Sequence, residues 1–395
     1  MIANPVRSLR SAVALTVAAL CAGSLLPAHA AKPGLRLVKS FSYTSGLDID
    51  AVGDRLYALA SGAESGIKVF DVGDKPREIA HVDCPNAASD VAAVRDGLVA
   101  ISFQLSTGSS CAGGLALGGV QVIDVNDLRR PRYLDDVALP EGVHTITAYP
   151  GRDLVFASPG GAEVHAANQG LEQIIDVSDP ANIEVVATYR PETLPFGCHD
   201  LLFKEIGAKV IGFCPGMGGT EIWDATDPLA PKKIGSMLLP AAQLPHSVSV
   251  NSDATLAVVG EEAWAAHECT AGAPVGGLWV YDISVLEEPV LLGRFRATGG
   301  RLPAGTEQVA PCTAHNFEFI PGTDLLVSAW YTGGTRLIDF SDPAQPVERA
   351  SYAPAGGSAT SAYWHDGRIY VADFERGLDV LRLDGTPAGP RRARK

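Results

Sequence analysis

Positive charge is scarce in this sequence. Thirty-one Lys and Arg stand against 45 Asp and Glu, and the formal net charge is −14. A surface of that sign repels phosphate backbones, so nucleic acid is not an expected partner. The short basic tail PRRARK at 390–395 does not reverse the balance; a terminal charge run is read as solvated. Helical periodicity is lacking beyond the first 30 residues, which argues against a helical bundle. No apolar run after residue 30 approaches the ~20 residues a bilayer-spanning helix needs. There is no G-x-S-x-G elbow, no Walker loop and no H-E-x-x-H pair, so the commonest signatures of serine hydrolases, P-loop enzymes and zinc proteases are missing.

What is present begins with a leader. Arg7 and Arg10 precede the apolar run SAVALTVAALCAGSLL, and AHA at 28–30 offers small residues where a signal peptidase reads them. Residues 1–30 are therefore expected to be a signal peptide, and the mature chain to begin at Ala31. A lipoprotein reading around Cys21 is weaker, because Leu20 is bulky. Removing Arg7 and Arg10 takes the net charge to −16. The mature protein is expected to be secreted or periplasmic, without a transmembrane segment, and monomeric.

One phrase recurs along the rest of the chain. It reads GIKVFDVGDKPREIAHVDCP at 66, GVQVIDVNDLRRPRYLDDVALP at 119 and LEQIIDVSDPANIEVVATYRP at 171. It returns as TEIWDATDPLAPKKIGSMLLP at 220, LWVYDISVLEEPVLLGRFRAT at 278 and TRLIDFSDPAQPVERASYAP at 335. The shared Asp falls at 71, 124, 176, 224, 282 and 339, at intervals of 48 to 58 residues. Apolar β-branched residues lead into a turn in which Asp and Ser side chains can bond the backbone. Two further strand patterns precede each phrase. Four short strands per repeat describe a β-propeller blade. A seventh copy, GLDVLRLDG at 377, has Arg382 in the Asp place and runs into the tail. GLRLVKSFSYT at 34–44 has the missing outer-strand pattern. The reading is an all-β, seven-bladed propeller over 31–384, its ring closed by the mature N-terminal strand, with 385–395 as a disordered basic tail.

These phrases resemble the LVIVD repeat of exported bacterial and archaeal proteins, over nearly all of residues 34–384. That resemblance implies the propeller fold and no single activity. It carries over no catalytic residue, because the repeat motif is structural.

In a propeller the loop entering each first strand and the loop between strands two and three share one face. The long insertions QLSTGSSCAGGLALGG, SPGGAEVHAANQG and EEAWAAHECTAGAPVGG all fall on that face. So do the six cysteines left after Cys21: Cys84, Cys111, Cys198, Cys214, Cys269 and Cys312. In an exported protein an even count suggests disulfides. Pairing neighbours gives 84–111, 198–214 and 269–312, with thiol metal binding as the alternative.

Four histidines, His144, His199, His246 and His315, each stand at the start of a first strand, in blades 3 to 6. The equivalent places in the other blades read as Gly46, Ser89 and Ser361. A structural consensus amplified by duplication would explain the histidines. Convergence on a transition-metal ion (Fe, Cu, Mn or Zn) would explain them too, and would make a metal-dependent oxidoreductase acting on a small-molecule substrate. By analogy alone, the four-His iron site of carotenoid oxygenases and the channel histidines of selenium-binding-protein and methanethiol-oxidase propellers are similar. Glu318, Glu261 and Glu262 are candidates to orient such ligands. His165 and His267 lie in top insertions, and His81 and His365 read as structural or surface residues. Trp264, Trp330 and Tyr331 could wall a pocket or pack between blades. A non-catalytic propeller binding a surface protein or glycan is the alternative function.

Overall fold

The structure is a computed structural model. It describes residues 34–61, 64–84, 89–103, 118–139, 142–159, 170–239, 242, 244–263, 276–298 and 312–384. The expected signal peptide at 1–30, the expected tail at 385–395, Cys111, Cys269, His165, His267 and Trp264 lie outside the described residues.

The repeat folds as its Asp residues dictate. After the third strand of blade 3, Ser178 N–H donates to Asp176 Oδ1 at 2.8 Å. The same backbone bond reaches Asp71, Asp124, Asp224, Asp282 and Asp339 from the residue two further on. Each Asp thus closes an Asx turn that reverses the chain into the fourth strand. Immediately before it, a β-bulge recurs in all six blades, as between Ile174 and Ile175. A bulge adds local twist, which a blade needs to fan outward from a channel.

Among the described residues, 28 strands form seven four-stranded antiparallel sheets. Six are consecutive in sequence. In the seventh, Gly34–Phe41 pairs with Gly377–Asp384, so the N-terminal strand completes the last blade as expected. First strands of most neighbouring blades lie against one another, and that of blade 7 meets that of blade 1. Closing the circle this way leaves no long sheet edge on the last blade. The apolar core lies between blades, in separate clusters such as Trp223 with Phe156 and Leu201. No described helix is long and apolar enough to cross a membrane.

The first strands line the channel: Gly46–Val52, Asp90–Arg95, Thr145–Ala148, Leu202–Ile206, Pro245–Val250, Phe317–Phe319 and Ala359–His365. Register corrects two of the expected equivalences. Thr145 pairs with Ser158, Ser247 with Gly260, and Ser361 with Ala372. The places corresponding to the histidines are therefore Leu47 and Thr360, not Gly46 and Ser361. Bulges at Gly46/Ile49 and Ala359/Ser361 shift the count by one.

Candidate metal centre

All four histidines sit at the channel mouth, and their backbones are latched between blades. Ser102 Oγ donates to the His144 carbonyl, Thr145 Oγ1 to that of His199, and Ser247 Oγ to that of His315. The Asp200 N–H donates to the His246 carbonyl. Held so, the rings form an arc: centroids lie 4.6 Å apart for His144–His199, 3.9 Å for His199–His246 and 4.2 Å for His246–His315.

Burial sets their charge state. His199 and His246 are only 3% and 2% exposed. Desolvation pulls His199 down to about 4, while Glu262 opposes the shift and His315 adds to it. His246 is driven well below its ordinary value by burial, then by the three other histidines. Both are neutral at pH 7 and retain a lone pair for a ligand. His315 Nδ1 lies 2.6 Å from the Thr360 carbonyl, which can only accept, so Nδ1 donates to it and Nε2 is the nitrogen turned toward Glu262.

Of the three acidic candidates, one reaches the rings. Glu262, 3% exposed, places Oε2 3.6 Å from His246 Nε2 and Oε1 3.9 Å from His315 Nε2. His199, His246 and Glu262 offer ligand atoms that all lie within 4.8 Å of one another. Glu261 points the other way and accepts from Gly276 N–H and Trp279 Nε1–H. Glu261 is the last residue of its strand, while Glu262 stands just beyond it with its N–H bonded to the Leu244 carbonyl. Glu318 lies further along the same channel, where it accepts from Trp364 N–H.

Two further residues join this site: one without any role read from sequence, the other expected only to wall a pocket or pack between blades. Asp200 holds Oδ1 3.1 Å from His199 Nδ1 and Oδ2 3.3 Å from His246 Nδ1, the second contact being off-axis for a hydrogen bond. One carboxylate thus faces the Nδ1 side of both rings, with the His246 Nε2 side toward Glu262. Burial raises Asp200 to about 7; His315 opposes this and Asp48 reinforces it. The second is Tyr331, whose hydroxyl donates to Glu262 Oε1 at 2.5 Å and whose ring lies edge-on to His315 at 4.9 Å. The signal was the repeat register. Leu256 and Leu325 pair with the turn residues Asp282 and Asp339, and Glu262 and Tyr331 each stand six residues later. Trp330, by contrast, is fully buried against Phe295 in an inter-blade cluster.

Below the histidines, Asp48, Asp90 and Asp200 crowd the channel. Ser361 Oγ donates to Asp48 Oδ1, and Asp90 is raised well above its usual range, first by burial and then by Asp48. The cavity bounded by these groups has a volume of about 790 Å³, and Phe203, Tyr363 and Trp364 add aromatic surface to it.

The predicted bridge Cys198–Cys214 is formed, with both residues fully buried beside His199. Cys84 and Cys312 are also disulfide-bonded; Cys111 and Cys269, the partners expected for them, lie outside the described residues. His81 pairs across outer strands with Lys68, and His365 Nε2 contacts the Gly53 carbonyl in a turn. Neither approaches the other four.

No protein-family model and no curated protein sequence matches the chain. The LVIVD resemblance therefore rests on the repeated phrases alone. Solved structures do match. U3-55K is similar with a TM-score of 0.60 at 12% identity, covering 88% of this chain and 98% of that one. The WD40 repeats of RRP9 are similar with a TM-score of 0.57 at 12% identity, covering 88% and 97%. The WD40 propeller domain of Doa1 has a TM-score of 0.57 at 10% identity, covering 88% and 96%. At such identities the likeness establishes the fold alone: this chain is a seven-bladed β-propeller.

Proposed function

We propose that the channel mouth holds one transition-metal ion on His199, His246 and Glu262, flanked by His144 and His315. On this reading the protein is an exported metal-dependent oxidoreductase acting on a small molecule in the channel. The observation that carries it is the convergence of two imidazoles and one carboxyl group, all buried, within ligand reach of one another. Two His and one carboxylate with positions left open is the donor set of non-haem Fe(II) oxygenases, which makes Fe the favoured metal among Fe, Cu, Mn and Zn. Such an ion would supply a site where oxygen or substrate is activated.

The chain's own residues supply the rest. Asp200 orients His199 and steadies the Nδ1 side of His246, so that both rings face inward by their other nitrogens. His315 turns Nε2 toward Glu262. The 790 Å³ cavity suits a small organic molecule, with Tyr363 and Trp364 to pack against it and Asp48, Asp90 and Ser361 to bind polar groups. The buried Cys198–Cys214 bridge supports an oxidising compartment.

The test is metal content by plasma mass spectrometry on protein exported natively and purified without a His-tag or chelator. About one equivalent of metal, lost in His199→Ala/His246→Ala, is the expected result. No metal in the wild type, even after reconstitution, would make the histidines structural and favour a binding propeller for a protein or glycan.

A further inference from the structure

Tyr331 reaches Glu262 by an unusual route. It follows the second strand of blade 6 and has φ of +45°. A positive φ is an outlier for a bulky aromatic residue and persists only where surrounding structure enforces it. That enforcement is visible. Tyr331 and Ala359 of blade 7 exchange two backbone hydrogen bonds, of 2.8 and 3.0 Å. A tight turn follows, with Gly333 and Gly334 N–H donating to the Trp330 and Tyr331 carbonyls. The phenol ring is 5% exposed, wedged between His315 at 4.9 Å and Phe374 at 6.1 Å. The strained backbone therefore aims one hydroxyl at one atom, Glu262 Oε1.

That atom matters because the two oxygens of Glu262 are divided. Oε2 faces His246, whereas Oε1 accepts from Tyr331. A carboxylate with one oxygen committed to a short, buried hydrogen bond is left with the other for a metal. Without that bond, both oxygens can chelate, and the second fills a further coordination position.

We infer that Tyr331 is a positioning residue that keeps Glu262 monodentate and so reserves an open coordination position for a small exogenous ligand. The inference rests on the metal reading above. It predicts that the site binds small anions or diatomic molecules at the ion, and that this capacity depends on the Tyr331 hydroxyl rather than on its ring.

The experiment loads wild type and Tyr331→Phe with Co(II), whose visible bands report coordination, and titrates each with azide. Phe keeps the ring packed between His315 and Phe374. Wild type should take one Co(II) and shift its bands on adding azide. Tyr331→Phe should also take one Co(II), show altered bands without azide, and bind azide at least tenfold more weakly. A variant matching wild type in bands and azide affinity overturns the inference, as does a wild-type Co(II) form that ignores azide. Failure of the wild type to take up Co(II) at all would instead refute the metal reading itself. Should Tyr331→Phe not fold, the wild-type Co(II) form alone still decides, because indifference to azide overturns the inference.

Discussion

The Cys198–Cys214 bridge offers the sharpest test of how the site is held. It ties the loop entering blade 4 to the end of that blade's second strand, one residue from His199. The bridge spans 16 residues of sequence. Closing a loop of roughly that length removes about 3 kcal/mol of denatured-state entropy. Both sulfurs are fully buried beside Leu194, Leu201 and Trp223, so their removal also leaves a small void worth about 1 kcal/mol. The double variant Cys198→Ala/Cys214→Ala should therefore lose about 3–4 kcal/mol. With a urea dependence near 3 kcal/mol per molar, the unfolding midpoint should drop by about 1 M. The double alanine variant isolates this bridge, whereas a reductant would also open those of Cys84 and Cys312. Urea unfolding followed by tryptophan fluorescence reads the shift, with Trp223 inside the affected cluster. A shift below about 0.3 M would refute the reasoning, because the loop would then be held by its backbone bonds alone. Those bonds are substantial: His199 N–H donates to the Pro215 carbonyl at 2.6 Å. Metal binding is accordingly expected to survive in the variant, weakened only severalfold.

Asp200→Asn should weaken metal binding by about 10- to 100-fold while leaving the fold intact, since a neutral amide faces the two Nδ1 atoms less favourably; competition with a chelator measures it. Stability should fall as pH rises from about 5 to 8, because Glu172, Glu318 and Asp50 are raised to about 8, 7 and 6, in each case chiefly by burial. Their stabilisation is complete below the carboxylate pKa of the unfolded chain and is lost as pH rises through these folded values. Glu172→Gln, which keeps an acceptor for Cys198 N–H, should flatten that profile; urea midpoints at pH 5 and 8 compare the two proteins. Deleting residues 34–41 should expose the Gly377–Asp384 edge and lower the melting temperature with aggregation on heating, which light scattering would detect.

The fold was legible because each repeat carries its own local instructions. An Asp bonding the backbone two residues on needs no distant partner, so the turn at Asp176 or Asp339 can be read from a dipeptide. Repetition then counts the blades, and the odd copy at 377 points to Gly34–Phe41 as its complement. The inward stance of His144, His199, His246 and His315 was likewise legible, since one register position recurs in four consecutive blades. Which acid joins them was not. Glu261 and Glu262 are equivalent in composition, and only the end of the strand at Glu261, fixed by pairing within blade 5, tells them apart. Asp200 carries no signal of its own in the sequence, because its meaning lies in facing two rings from different blades. Tyr331 reaches the site only through a positive φ held by the blade 7 backbone. The sequence alone determined the blades and the turns, because those depend on contacts between near neighbours, and the repeat register then placed the four histidines in equivalent positions. The carboxylate, its tyrosine and the shared aspartate were decided by closing the ring, which brings second strands and first strands of different blades to one point.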